Sequence, residues 1–191
     1  MPNLFIFTAG NREAQAHLDS SIRQAIDPSV VFKYFKEDNQ EELQNIYDTA
    51  GGFYAWGATP GPRNISLWKS MGTGDHILCV FNRKYKYYAK VLGKYHNKEL
   101  AKQVWGTDQN GNTWEYMYFL KKPEEIDISV RELGNYLNQA YMGFTRISDE
   151  KINAISAKYG SLDEFINQLF LKSNSPQISN PNFWWVNQGR T

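Results

Sequence analysis

Two kinds of side chain are dense and interleaved between Phe53 and Leu120: flat aromatic rings and fixed positive charge. The stretch holds Trp56, Trp68, Trp105 and Trp114, four of the six tryptophans. Between residues 63 and 102, nine lysines and arginines stand against two carboxylates, a local charge of +7 in a chain of net charge +1. The remainder of the chain therefore carries −6. Rings set among cations are what stacking on bases beside phosphates requires. The same composition also describes a Trp/Tyr-rich core with a solvated lysine face.

Other chemistries lack their residues. There is no GxxxxGK[ST] phosphate loop, no G-x-S-x-G elbow and no reactive-cysteine context. His17, His76 and His96 stand apart, with no His or Cys partner at metal-ligand spacing. The expectation is a binding protein with no catalytic residues, no metal and no cofactor. One cysteine, Cys79 in the apolar run HILCVF, makes no internal disulfide and reads as a buried thiol, which points to the cytoplasm. No apolar run approaches the roughly 20 residues of a membrane span, so no membrane partner is expected. The first residues, MPNLFIFTAGN, lack the basic and long apolar regions of a signal peptide. A chain of 191 residues suits one domain, or one domain with an appended piece.

The elements that must position these rings can be read in order. Leu4–Thr8 (LFIFT) reads as a buried strand, and Asn11 as the cap of an amphipathic helix over 12–26. Val30–Phe35 (VVFKYF) reads as a second strand, followed by an acidic, solvated helix or loop ending at Gly51-Gly52. Phe53–Trp56 is a strand entering the rigid turn ATPGP, after which Asn64 would cap a short helix over 65–71. His76–Asn82 and Tyr85–Leu92 form a hairpin across a basic turn. In the second of these, Tyr85, Tyr87, Ala89 and Val91 would share the core face, while Lys86, Tyr88 and Lys90 share a cationic one. Lys98–Val104 is a helix ended by Trp105-Gly106, and Trp114–Leu120 (WEYMYFL) returns as a strand. A brief strand over 126–128 and helices capped by Ser129, Ser148 and Ser161 follow. KSNSPQISNPN is a polar linker, and FWWV after it looks like the start of another segment.

This order of motifs resembles the YTH and EVE branch of the PUA-like superfamily. It includes AWGATP at a strand end, G-D before an apolar strand, a tyrosine-rich strand, LAKQVWG before a polar loop, and WEYMYF. It looks most like the reader domains at the front of McrB-type modification-dependent restriction proteins. The resemblance covers about residues 4–130, and the tail Trp185–Gly189 is similar to a segment that follows such domains in longer proteins. It implies an α+β fold, a PUA-like (EVE/YTH-like) mixed β-barrel flanked by helices. Residues 1–171 would form the nucleic-acid-binding domain, with 172–191 a linker and the start of the next segment. The implied partner is double-stranded DNA carrying a modified base, with a nuclease or NTPase effector fused to the reader or working with it.

In that family a methylated base enters a cage of aromatic rings. Carried over by position, Trp56 and Trp105 occupy two cage walls, while the loop after Trp105 carries Asp108, Gln109 and Asn110 where a third would stand. Tyr54, Asn64, Ser66 and Asp108 are the candidates for reading the base edge, and Arg63, Arg83, Lys84 and Lys86 for holding phosphates. The physics supports such a site: unstacking a base costs a few kcal/mol, recovered by rings contributing roughly 1–3 kcal/mol each and about 0.8 kcal/mol per buried methyl. Trp56 and Trp105 adjoin turns and are expected at an open cleft; Trp68 and Trp114 are expected in the core. Two other readings stay open: a PUA-like module that binds single-stranded RNA, and a protein-interaction domain whose aromatics are all core.

Overall fold

The computed structural model describes residues 1–171, so the expected linker and the Trp185–Gly189 segment lie outside the described residues. The core is built on β1 (Leu4–Thr8), whose first four residues are buried. It runs parallel to β3 (His76–Phe81) on one side and antiparallel to β7 (Phe144–Arg146) on the other. β3 turns into the long β4 (Lys84–His96), which pairs with β5 (Tyr116–Leu120), and β5 pairs with β2 (Tyr54–Ala58). The sheet order is β2-β5-β4-β3-β1-β7, with β6 (Glu124–Ser129) joined to the first half of β4. No ladder joins β2 to β7 among the described residues, so this mixed sheet is a half-barrel. Among the described residues seven α-helices flank it: α1 (Arg12–Ser21), α2 (Pro28–Lys33), α3 (Gln40–Ala50), α4 (Pro62–Ser70), α5 (Lys98–Trp105), α6 (Asp149–Tyr159) and α7 (Leu162–Ile166). The fold is α+β. No helix among the described residues is long and apolar enough to cross a membrane.

β4 is the hinge of the architecture, because a bulge between Tyr85 and Tyr87 inverts the phase of its side chains. Tyr85 and Tyr88 consequently share one core, against β6, α6 and α7, while Ala89 and Val91 face another with Phe5, Phe7 and Trp56. Strict alternation over residues 85–91 is thus corrected: both faces of this strand are covered. The hairpin tip is Asn82-Arg83, both in left-handed backbone (φ 52 and 57), a turn whose twist matches the strands it joins.

Three helical expectations also change. Residues 30–35 are not a strand: Asp27 caps α2 by accepting from the Ser29 amide at 2.8 Å, and Pro28 opens it. Capping and a pre-set proline φ outweigh the β-branched pair Val30-Val31. The first helix stops at Ser21, short of 26, because Ile26 leaves it to bridge Phe53. α4 begins at Pro62 after Gly61, so Asn64 lies inside it instead of capping it.

Candidate nucleic-acid interface

A cavity of about 270 Å3 opens between the N-terminal half of α1, the ends of β1 and β2, and the loop that leads into β5. Its aromatic walls come from Phe7, His17, Trp56, Trp114, Tyr118 and Phe144. Trp56 is stacked on Phe7 with ring centroids 4.4 Å apart. His17, on the inner face of α1, meets the Trp114 ring edge-on at 4.1 Å. Burial lowers the pKa of His17, partly opposed by a hydrogen bond with the Trp105 backbone, so at neutral pH the pocket holds an uncharged imidazole. Tyr118 is wholly buried, and its hydroxyl has no hydrogen-bond partner among the described residues.

Gly57 is what lets this pocket close. A Cβ there would stand 2.2 Å from the Trp114 carbonyl oxygen and 3.0 Å from the Trp105 ring. Only hydrogen fits, so the loop carrying Trp114 can lie directly on β2. The polar rim is supplied by Asn11, Glu13, Thr59 and Asn64. Asn64 donates its side-chain amide to the Thr59 carbonyl at 3.0 Å, which ties the rim loop to α4.

The residues expected at this site are distributed unevenly. Trp56 and Asn64 line the pocket. Trp105 does not; it lies behind Gly57 and donates its indole N–H to Ser21 Oγ at 3.1 Å. Tyr54 is buried in the core with Trp56, and Ser66 is exposed on α4 away from the pocket. Asp108 organises its own loop, accepting from the Asn110 and Asn112 amides. The expected burial of the tryptophans is inverted: Trp56 and Trp105 are 6% and 8% exposed, whereas Trp68 and Trp114 are half-buried. Trp56 is mid-strand, and Trp114 precedes β5 instead of belonging to it. His17 and Glu13 were not legible as site residues, since their helical spacing in α1 reads as an ordinary amphipathic helix.

Next to this pocket lies a broader cleft of about 1090 Å3, bounded by the hairpin tip, the turn after β6 and the loop before β7. The two cavities share Thr8 and Asn11. Arg83 and Arg131 both line the broad cleft, both are exposed, and no carboxylate lines it. Neither arginine has a carboxylate partner among the described residues. Lys84 and Lys86, two residues apart on β4, instead grip Asp127 of β6 at 2.8 and 2.7 Å. Those two ammonium groups hold the Asp127 carboxyl at about 2, below its ordinary value. Arg63 is exposed at the start of α4, outside both cavities.

No protein-family model and no curated protein sequence matches the chain. The fold, however, has solved counterparts. The N-terminal domain of McrB from Thermococcus gammatolerans, bound to DNA containing 5-methylcytosine, superposes with a TM-score of 0.61. The match covers 87% of this chain and 99% of that domain at 17% identity. A YTH domain from Zygosaccharomyces rouxii in complex with N6-methyladenosine RNA is similar over 82% of this chain and 86% of its own, at 12% identity and a TM-score of 0.48. The chain therefore shares the fold of that McrB domain, in line with the PUA-like architecture expected from its motifs. Among its solved counterparts is the front domain of McrB.

Proposed function

We propose that residues 1–171 are a DNA-binding reader that takes a modified base into the pocket between α1 and the Trp114 loop, and that it performs no chemistry itself. The observation that carries this reading is the juxtaposition of the two cavities. One is small, aromatic and uncharged apart from its rim; the other is broad, polar and furnished with two arginines that have no carboxylate partner among the described residues. A flipped base needs the first, and the phosphates on either side of it need the second. Trp56 and Trp114 stack on the base, with His17 closing the pocket behind them. Arg83 and Arg131 hold the backbone, with Arg63 and the Asp127-bound Lys84 and Lys86 as outer contacts.

Glu13 narrows the kind of edge the pocket accepts. A carboxylate at the rim repels phosphate but accepts a hydrogen bond from an exocyclic amine, which cytosine and adenine both present. Asn64 and Asn11 supply amide groups for the remaining edge. Methyl discrimination then rests on the closeness of the Trp56 and Trp114 walls. Tyr54 and Trp105 support the pocket from behind, while Ser66 and Asp108 take no part in it.

The likeness to the McrB domain supports placing the module as the targeting part of a modification-dependent restriction system, working with a nuclease or NTPase effector. A single buried free thiol, Cys79, fits a cytoplasmic protein. Residues 172–191 would be the linker to the next segment. The test is a binding panel: duplexes with 5-methylcytosine, 5-hydroxymethylcytosine, N6-methyladenine or no modification, beside single-stranded RNA with N6-methyladenosine. Preference for one modified duplex is expected. Equal affinity for all duplexes would sink the reading, and preference for the RNA would move it to a single-stranded partner.

A further inference from the structure

The loop between the two cavities carries an unexplained side chain. Gln139, Ala140 and Tyr141 line the broad cleft, Gly143 and Phe144 line the aromatic pocket, and Met142 stands between them. Met142 is 83% exposed, and the only other exposed large hydrophobic among the described residues is Met1 at the chain start. The Met142 side chain packs into none of the three hydrophobic cores of the described residues.

Its tether is firm on both sides. The Gly143 amide donates to Thr8 Oγ1 at 3.0 Å, and the Thr8 amide donates to the Gly143 carbonyl at 3.2 Å. Tyr141 shares a 2.8 Å hydrogen bond with Tyr85 deep in the other core, and its hydroxyl accepts from the Asn138 amide at 3.1 Å. Gly143 has φ +64, so the chain reverses sharply just after Met142. The side chain is therefore presented from a fixed ridge, with an anion-seeking cleft on one side and a ring-lined pocket on the other.

We propose that Met142 is a wedge that enters the base stack of a DNA duplex as the target base leaves it, and so that the partner of this module is double-stranded. The inference rests on the base-reading function above. A strand whose phosphates lie along Arg83 and Arg131 and whose base reaches Trp56 must pass over residue 142. Removing a base from a duplex leaves its neighbours unstacked around a gap, and an unbranched apolar side chain is suited to fill such a gap. On a single strand there is no stack to hold open, so Met142 would have no such use. The loop thus selects the substrate class, while the pocket selects the base.

The experiment uses the full 191-residue chain and Met142→Ala and Met142→Leu variants. Because the side chain is exposed, neither substitution threatens folding. Affinity is measured for a duplex with one 5-methylcytosine, for the same strand alone, and for that strand opposite an abasic site, with the set repeated for N6-methyladenine. A 2-aminopurine beside the modified base reports unstacking. The alanine variant should lose about tenfold or more on the paired duplex, and lose the 2-aminopurine signal, with much smaller losses on the strand alone and on the abasic duplex. Leucine should restore most of the duplex affinity. Equal losses on duplex and single strand would make Met142 an ordinary contact and overturn the wedge. So would unchanged duplex binding by the alanine variant with the preference for the modified base intact, which leaves the reading itself standing. If the wild-type chain shows no preference for the modified base in any format, the reading fails, and the wedge with it.

Discussion

The two cavities that meet at Thr8 and Asn11 are built by opposite means. The pocket is made of rings that are also core: Trp56, Phe7, Tyr118 and Phe144 belong to the same buried cluster as Phe5 and Val91. The broad cleft is made of turns, with Arg83 at a left-handed hairpin tip and Arg131 in the turn after β6. Substitution on the pocket side therefore also acts on stability, whereas substitution on the cleft side can leave the fold untouched. Substitutions in the two regions should differ in kind as well as in size.

The pocket should show the largest effects. Trp56→Ala removes a 6%-exposed indole from the core and should lower stability by about 3–5 kcal/mol. Trp114→Ala removes a half-buried ring from the opposite wall and should lower it by only about 1–2 kcal/mol. Both should abolish preference for the modified base. Gly57→Val should behave like Trp56→Ala, because its side chain cannot coexist with the Trp114 carbonyl 2.2 Å from a Cβ. Urea denaturation beside duplex binding would measure this. If Trp114→Ala proved as unstable as Trp56→Ala, the pocket would be core on every side.

Acid should separate the two functions of the buried rings. His76, outside both cavities, is fully buried with Nδ1 2.8 Å from the Tyr88 hydroxyl. Burial chiefly lowers its pKa to about 4, assisted by the positive charge of Lys90 and opposed by Asp163 and Asp75. The folded value lies below the ordinary 6.5, so between those limits the unfolded chain binds a proton that the folded chain refuses. Stability is therefore fully present above about pH 6.5 and is lost as the pH falls toward 4, by on the order of 3 kcal/mol. His17, also depressed by burial, acts in the same direction. Denaturation midpoints from pH 8 to 4.5 should fall in the wild type and fall less in His76→Gln. Base preference should survive in His76→Gln but not in His17→Gln. Parallel pH profiles for wild type and His76→Gln would remove His76 from this account.

The contrast also explains which parts of the molecule were legible in sequence. Period-2 and turn signals placed β1, the β3–β4 hairpin and the capped helices at Asn11, Ser148 and Ser161, because these elements follow local rules. Residues 30–35 were illegible because so short a run, VVFKYF, has no clear period of its own, and Asp27-Pro28 reads equally well as the end of the preceding helix and the start of the next. The face of β4 failed because a bulge is a property of the ladder, invisible in one strand. The pocket was half legible. Trp56 and Asn64 could be placed by motif, but Trp105 and Trp114 exchanged roles, since only the approach of the Trp114 loop to Gly57 decides which indole reaches the cavity. Charge density singled out the basic stretch without showing that Asp127 and Asp163 neutralise part of it.

On the cleft side, effects should be moderate and independent of the base. Arg83→Ala and Arg131→Ala should each weaken modified and unmodified duplexes alike, and lower the salt slope by about one. Folding should be unaffected, since both side chains are exposed. Salt titrations with both duplexes test this, and a selective loss on the modified duplex would assign the arginine to base reading instead.

The smallest and most discriminating effect concerns Asp127. Its carboxylate holds Lys84 and Lys86 at 2.8 and 2.7 Å, and all three groups are at the surface. Two cations sharing one anion keep a net charge of +1, spread over the β4–β6 edge beside Arg83. Lys84→Ala or Lys86→Ala should consequently reduce affinity less than Arg83→Ala does, because each lysine is already partly satisfied. Asp127→Asn should do the reverse. It frees both ammonium groups without removing side-chain bulk, so binding to modified and unmodified duplexes should rise together and the salt slope should steepen. The ratio of the two affinities should stay constant, because no ring of the pocket is touched. If Asp127→Asn left the slope unchanged, the lysines would lie beyond reach of the backbone, and the phosphate path would run through Arg83 and Arg131 alone.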